Sequence, residues 1–138
     1  MESFIEQRIR QLAGNRCEYC RIPEEGGKLQ HVLDHIVARQ HGGQTMFENL
    51  ALCCGRCNRF KGPNVAGIDG PTGALTPLFN PRRDSWQDHF RWSGPVLVGI
   101  TPIGRATVMV LAINLPVRVA ARQELIEEGR FLQEGTAG

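Results

Sequence analysis

Residues 49–62 read NLALCCGRCNRFKG, a short apolar run followed by a Cys-x-x-Cys pair and a basic segment. The apolar run predicts a strand over residues 48–53. A helix is predicted over residues 58–61, because Gly62 and Pro63 follow it directly and stop it. Cys54 and Cys57 therefore lie on a short turn between the two predicted elements.

A second pair, Cys17-Glu-Tyr-Cys20, lies upstream of the first. Four thiolates in two such pairs are the tetrahedral ligand set of a structural zinc site. The N-terminal stretch MESFIEQRIRQLAGNR has no apolar run of a secretory signal, so we expect a cytoplasmic chain, where structural disulfides are rare. Disulfides, a redox pair, plain buried thiols and an iron centre are the alternatives to zinc. Cys53 breaks the spacing and is expected to be a small core residue.

Composition and charge set wide bounds on function. The 138 residues include 16 glycines and 8 prolines, so long loops are expected and a metal would help stabilise the fold. The formal net charge of +2 neither requires nor excludes nucleic acid as a partner. No apolar run approaches the ~20 residues of a membrane helix, so no membrane association is expected. No feature selects an oligomeric state.

The sequence between the cysteine pairs contains LDHIVARQHGG, residues 33–43. Apolar and β-branched residues predict a strand over residues 29–37, followed by a glycine-broken loop over residues 40–45. Asp34 and His35 lie near the end of that strand. Each alone has a structural explanation, as a turn acid or a packed histidine.

Taken together, CEYC, DHIVARQHGG and ENLALCCGRCNRFKG resemble the HNH endonuclease family with a four-cysteine zinc site. In that family an acid-His pair ends one strand, Asn-Leu follows a glycine turn, and a Cys-x-x-Cys leads into a helix. The third motif position, usually histidine, is Asn58 here, which makes the chain an H-N-N variant. Residues 17–61 carry this resemblance, and residues 67–92 with TPIGRATV resemble the C-terminal half of a bacterial subgroup.

The resemblance implies an α+β fold: a zinc-stapled ββα-metal core, an N-terminal helix, and a C-terminal extension of mixed strands and helices. We expect one HNH nuclease domain over residues 1–138, with the motif core at about 15–63, the extension at about 64–129 and a flexible tail at 130–138. The implied activity is metal-dependent hydrolysis or nicking of DNA phosphodiester bonds.

The chemistry of that reaction assigns roles to the motif residues. The imidazole of His35 is the candidate general base, since its ordinary pKa near 6.5 suits proton transfer at neutral pH. Asp34 and Asn58 offer oxygen ligands to Mg²⁺ or another divalent cation. By analogy with the family, Asn49 holds the loop that orients His35. Because neighbours on a regular strand face opposite sides, an irregularity is predicted at residues 34–36.

Basic residues provide candidate contacts to the nucleic acid. Lys61 is expected one turn beyond the second cysteine pair, where it would contact a phosphate. The further candidates are Arg56, Arg59, Arg82 and Arg83. The last two belong to NPRRDSWQDHFRW, whose aromatic residues fit either a phosphate-contacting surface or a small core.

Outside the motif core, Ser3 and Glu6 form a capping box that predicts a helix over residues 4–13. Residues 63–81 are predicted to be irregular, SWQDHF a short helix or turn, and residues 96–100 a strand. Helices are predicted over residues 103–113 and 116–128. The last should bury a face formed by Val117, Ala121 and Leu125.

Two other classes of function fit the same sequence. One is a non-catalytic, zinc-dependent nucleic-acid-binding module, because the carboxamide of Asn58 is a weaker metal ligand than an imidazole. The other is a structural or protein-interaction domain.

Overall fold

The computed structural model of the protein describes residues 3–24 and 30–133. The predicted strand position Leu29, the acidic residue Glu25 and most of the predicted tail, residues 134–138, lie outside the described residues. The helices are α1 (Phe4–Ala13), α2 (Gly55–Lys61), α3 (Trp86–His89), α4 (Pro102–Val110) and α5 (Pro116–Glu127). The strands are β1 (Val32–His35), β2 (Leu50–Cys53), β3 (Ala66–Ile68), β4 (Leu75–Pro77), β5 (Phe90–Ser93) and β6 (Val96–Gly99). The predicted α+β class is confirmed.

Helix α1 has the bounds that its capping signals predict. The Ser3 hydroxyl accepts a hydrogen bond from the Glu6 N–H at 3.0 Å, and Gly14 ends the helix in a left-handed conformation with φ of 62°. Ile9 and Ala13 form its buried face and pack against leucines of β2. Leu12 lies off that face and is 62% exposed.

The motif core is a ββα unit. Strands β1 and β2 pair antiparallel, with Val32 opposite Cys53 and His35 opposite Leu50. The chain bends at Ile36, within the segment predicted to be irregular. Helix α2 follows at once and begins earlier than predicted, because the Cys54 sulfur caps it by accepting a hydrogen bond from the Cys57 N–H at 3.4 Å.

The extension contains more regular structure than its composition suggests. Residues 63–81, predicted to be irregular, include the β3–β4 hairpin. The buried Asp69 stabilises its turn by accepting hydrogen bonds from the Thr72 hydroxyl at 2.7 Å and the Arg105 guanidinium at 2.8 and 3.1 Å. Strand β5, which was not predicted, pairs with the predicted β6. Helices α3, α4 and α5 fall where they were expected.

Aromatic residues of the extension and the two Cys-x-x-Cys pairs belong to one hydrophobic core. Trp86, Phe90 and Trp92 are 4%, 1% and 3% exposed, so these rings are a core and not a nucleic-acid surface. The Trp86 indole N–H donates to the Tyr19 carbonyl at 2.9 Å. The extension is therefore packed directly onto the first Cys-x-x-Cys pair.

The buried face of α5 differs from the predicted one. Val117 is 54% exposed, whereas Arg118 and Arg122 are 4% and 1% exposed and lie with Leu125 on the inner side. The apolar pattern failed here because the two arginines meet buried hydrogen-bond acceptors, which offset the cost of burying a charge.

No helix among the described residues is both long and apolar enough to cross a membrane.

Candidate active site and metal centre

The four cysteines of the two Cys-x-x-Cys pairs converge on one point. The sulfurs of Cys17, Cys20, Cys54 and Cys57 all lie within 4.8 Å of one another, and all four residues are buried. The Cys20 and Cys54 sulfurs are 3.7 Å apart. In a tetrahedral zinc site with Zn–S bonds of about 2.3 Å, sulfurs are about 3.8 Å apart, so the cluster fits such an ion.

The electrostatics of the cluster also favour a bound cation. Burial raises the pKa of the Cys17 and Cys57 thiols well above its ordinary value, whereas hydrogen bonds with neighbouring cysteines lower that of Cys20. Buried thiolates are costly without a compensating charge, and a dication at the centre supplies one. These four residues could hold a metal such as zinc, as predicted.

Cys53 lies outside this ligand set. It is fully buried in the core and pairs with Val32 across the β1–β2 sheet. The prediction that Cys53 is a small core residue is confirmed.

The two residues between Cys17 and Cys20 connect the cluster to its surroundings. Glu18 accepts a hydrogen bond from the Leu52 N–H at 2.8 Å and forms an ion pair with Arg82. Burial raises the pKa of Glu18, and the Arg82 guanidinium opposes that effect. The Tyr19 hydroxyl donates to Asp34 Oδ2 at 3.1 Å. The segment Cys17–Cys20 therefore forms a direct hydrogen bond with Asp34, a predicted ligand of the catalytic cation.

Asp34 is held from two sides. Lys61 Nζ lies 3.1 Å from Asp34 Oδ2, the same oxygen that accepts from Tyr19. Among the described residues, none donates to Oδ1, which is left for another ligand. Burial raises the pKa of Asp34, and the Lys61 ammonium and the Tyr19 hydroxyl act in the opposite direction.

Lys61 is buried, although it was predicted to contact a phosphate. Its side chain is 2% exposed, and besides Asp34 its ammonium contacts the His35 carbonyl at 3.2 Å and the Ile36 carbonyl at 3.1 Å. The ammonium is therefore not available as the predicted phosphate contact. Its role in this structure is to hold Asp34 and the end of β1 together.

His35 is partly exposed, and Thr45 fixes its ring. The His35 Nε2 and the Thr45 hydroxyl oxygen are 2.8 Å apart. Thr45 follows the Gly42-Gly43 turn, and no motif marked it in the sequence. Thr45 is ten residues from His35 in the sequence, so the contact between them is evident only in the folded loop.

Asn49 closes the loop between His35 and Thr45. Its side-chain oxygen accepts from the Val37 N–H at 2.8 Å, and its amide donates to the carbonyls of Val37 at 3.0 Å and Gln44 at 2.9 Å. A Cβ atom at Gly43 would lie 1.7 Å from the Val37 carbonyl oxygen, so only glycine allows this close approach. These contacts are those that the predicted loop-holding role of Asn49 requires.

An open pocket of about 350 Å³ brings together the predicted general base and the two predicted ligands of the catalytic cation. Asp34 and His35 line it from the end of β1, and Asn58 lines it from α2. Gly62 and Pro63 form part of the rim, and the remaining lining residues are Leu33, Ala38, Arg39 and Gln40. Asp34 and His35 both line the pocket although both are paired within β1, and the chain bends only at Ile36.

The predicted nucleic-acid contacts divide into two groups. Arg56 and Arg59 of α2 are exposed, as is Arg83. The Arg82 side chain is only 7% exposed, because it pairs with Glu18 and lies over the Phe47 ring at 5.3 Å. Arg82 is therefore engaged within the protein, contrary to its predicted contact with nucleic acid.

Two of the other three histidines, His31 and His89, have side-chain contacts within the protein. His31 Nε2 lies 3.0 Å from the Ile22 carbonyl oxygen, and His89 Nδ1 lies 2.6 Å from the Thr101 hydroxyl oxygen. His41 is exposed in the loop after β1.

Comparison with known proteins agrees with this geometry. Residues 17–64 match the model of the HNH endonuclease family. These residues are therefore similar to an HNH endonuclease domain. The family predicted from the cysteine pairs and the Asp-His and Asn-Leu motifs is thereby confirmed.

One curated relative extends the similarity beyond the HNH domain. The chain is 26% identical to the Septu protein PtuB of Bacillus thuringiensis over 115 residues, which cover 80% of this chain and 41% of that protein. This alignment is longer than the HNH domain, so it includes part of the extension. The chain spans about two fifths of the length of this relative. No solved structure matches the chain.

Proposed function

We propose that the protein is a metal-dependent endonuclease that hydrolyses or nicks DNA phosphodiester bonds at the pocket formed by Asp34, His35 and Asn58. The observation that supports this most strongly is the convergence of these three side chains on one open pocket. They come from β1 and α2, and the cysteine cluster holds the start of α2.

In this proposal His35 is the general base. Thr45 occupies Nε2, which leaves Nδ1 to take a proton from the attacking water. Asn49 contributes by holding the loop that carries Thr45. The ring is then oriented by its partner at one nitrogen while the other nitrogen reacts.

Asp34 and Asn58 are the proposed ligands of the catalytic cation. Both offer oxygen donors, which Mg²⁺ prefers. Asp34 would use Oδ1, because Tyr19 and Lys61 engage Oδ2. A divalent cation bound there would stabilise the negative charge that develops on the phosphate and on the departing 3′ oxygen.

The ion pair between Lys61 and Asp34 affects how strongly a cation is held. The ammonium neutralises the carboxylate at 3.1 Å, so the protein alone offers the cation little net negative charge. Mg²⁺ sites are commonly completed by substrate phosphates and water. We therefore expect the cation to bind much more tightly when DNA is present.

An arginine in the pocket and three other exposed arginines suit a polyanionic substrate. Arg39 lines the pocket, and Arg56, Arg59 and Arg83 are exposed. Contacts of this kind to phosphates supply affinity that falls as the salt concentration rises.

Plasmid nicking in the presence of Mg²⁺ or Mn²⁺ tests the proposal. His35→Ala should lower the nicking rate by about 10²–10⁴-fold, as expected for a lost general base. Its zinc content should stay unchanged, because His35 is not a ligand of the cysteine cluster. His41→Ala, an exposed histidine in the following loop, is the matched control and should nick like the wild type. Equal activity of the two variants would refute the role of His35.

A second function is favoured by one observation, the ion pair that Lys61 forms with the Asp34 carboxylate. A buried Asp34–Lys61 ion pair is also what a non-catalytic nucleic-acid-binding module would contain. Such a module would bind DNA without cleaving it in any divalent metal. DNA binding by gel shift, together with no nicking in Mg²⁺, Mn²⁺, Co²⁺ or Ni²⁺, would identify this alternative.

A further inference from the structure

Arg118 lies outside the HNH domain, on α5 of the extension, yet it contacts the cysteine cluster. One guanidinium nitrogen, Nη2, lies 2.9 Å from the Cys57 sulfur and 3.9 Å from the Cys54 sulfur. The other, Nη1, donates to the carbonyls of Leu111 at 2.7 Å and Ala112 at 3.2 Å. The residue is 4% exposed. The guanidinium therefore bridges the metal centre and the loop before α5.

The net charge of a zinc-bound cysteine cluster explains why a guanidinium beside it would be stabilising. Four thiolates and one dication leave two excess negative charges in a buried environment. A buried guanidinium at hydrogen-bond distance removes one of them and supplies a charge-assisted donor to a ligand sulfur. Side chains that bond to metal ligands in this way alter metal affinity as well as ligand orientation.

Arg122 offers a comparison one turn along the same helix. It is 1% exposed, and its guanidinium donates to the carbonyls of Pro95 at 2.7 Å and Ile113 at 3.0 Å and to Asn114 Oδ1 at 2.9 Å. Among the described residues, no sulfur accepts a hydrogen bond from Arg122. Two arginines with equal burial on one helix thus differ in whether they contact the cluster.

We infer that Arg118 is a positioning residue of the zinc centre, which makes the extension helix α5 a working part of the metal site. The guanidinium lowers the charge of the thiolate cluster and fixes Cys57, so zinc is held more tightly when α5 is docked. The inference concerns zinc binding alone and is independent of whether the pocket cleaves DNA.

Zinc competition against a chromophoric chelator tests this with the full-length chain. Arg118→Gln should weaken zinc binding by about 10–100-fold, the usual effect of removing a partner of a metal ligand. Arg122→Gln, the matched control, should retain wild-type zinc affinity even though it removes a similarly buried arginine. Arg118→Lys and Arg122→Lys form a second pair for the same comparison if a glutamine variant does not fold.

Cobalt substitution adds a readout that a purely structural role would not change. The sulfur-to-cobalt charge-transfer band reports the electron density on the thiolates. Loss of the hydrogen bond to Cys57 should move this band to lower energy in the Arg118 variants and leave it unmoved in the Arg122 variants. An unmoved band in the Arg118 variants, or equal losses of zinc affinity in both pairs, would overturn the inference.

Discussion

The cysteine cluster and the Asp34–His35–Asn58 pocket both use residues of the short helix α2 and are built in opposite ways. The cluster is buried on all sides, and its four ligands converge within 4.8 Å before any partner is added. The pocket is open, and within residues 3–24 and 30–133 no hydrogen bond engages Asp34 Oδ1, His35 Nδ1 or the side-chain amide of Asn58. The cluster is suited to hold an ion permanently, and we propose that the pocket receives the substrate.

The two regions are expected to serve different purposes, the cluster folding stability and the pocket turnover. Tyr19 spans the two regions, because it lies between two cysteine ligands and donates its hydroxyl to Asp34. A rigid metal centre can therefore position a reactive carboxylate without placing the ion itself at the reaction site. Changes to the cluster should affect folding first, whereas changes to the pocket should affect turnover first.

The largest expected effect is on the cluster. Cys54→Ser should prevent stable folding, because a structural zinc site contributes about 10 kcal/mol of folding free energy. Thermal unfolding with and without a chelator measures this. Cys53→Ala is the matched control, since Cys53 is the adjacent buried cysteine outside the ligand set, and it should still bind one zinc ion. Cooperative melting of zinc-free Cys54→Ser at the wild-type temperature would contradict the structural role of the cluster.

The next effect concerns the connection between the two regions. Lys61→Met should lower the free energy of unfolding by about 3–5 kcal/mol, because it leaves the buried Asp34 carboxylate without its cation. Denaturant unfolding gives the value. Arg56→Met on the same helix is exposed and should change stability by no more than about 0.5 kcal/mol. A neutral Lys61→Met would show that the ion pair does not hold β1 to α2.

A smaller effect should appear in the pocket alone. Thr45→Val removes the hydroxyl that fixes His35 Nε2 and should lower kcat for nicking by about tenfold, the equivalent of one hydrogen bond. KM and zinc content should not change. Thr45→Ser keeps the hydroxyl and should restore the rate. Equal rates for the valine and serine variants would show that the hydroxyl has no part in orienting the ring.

The smallest effect is on the ionisation of Asp34. Burial raises the pKa of this carboxyl above its ordinary value of about 3.9, so its stability contribution is complete below that value and is lost as the pH rises through the folded-state pKa. Tyr19→Phe removes a hydrogen bond that lowers the pKa, so it should raise the pKa further. NMR titration of the Asp34 carboxyl carbon measures both, and a lower pKa in Tyr19→Phe would be the opposite of this expectation.

Much of the HNH core could be predicted because its signals are local. Cysteine spacing, the Asp-His and Asn-Leu motifs and the caps of α1 each depend on a few neighbouring residues. The positions that the sequence analysis misplaced depend on partners far along the chain. Lys61 is buried by Asp34, and Arg82 by Glu18, so both lose the exposure that their basic character suggested.

The extension was harder to predict for the same reason. On α5 the apolar pattern favoured Val117, but the inner face carries Arg118 and Arg122, whose acceptors are a cysteine sulfur and backbone carbonyls of other segments. A buried arginine is recognisable only when its acceptors are known. The β3–β4 hairpin likewise depends on Asp69, whose partner Arg105 comes from α4.

The most direct measurement is plasmid nicking by the zinc-loaded protein during a titration with Mg²⁺ or Mn²⁺. We predict no cleavage with zinc alone, cleavage that increases with the second metal and saturates, and no change in the zinc bound to the cysteines. Cleavage without a second metal would contradict the proposed pocket. So would a folded protein that binds DNA but does not cut it with any of the divalent metals tested.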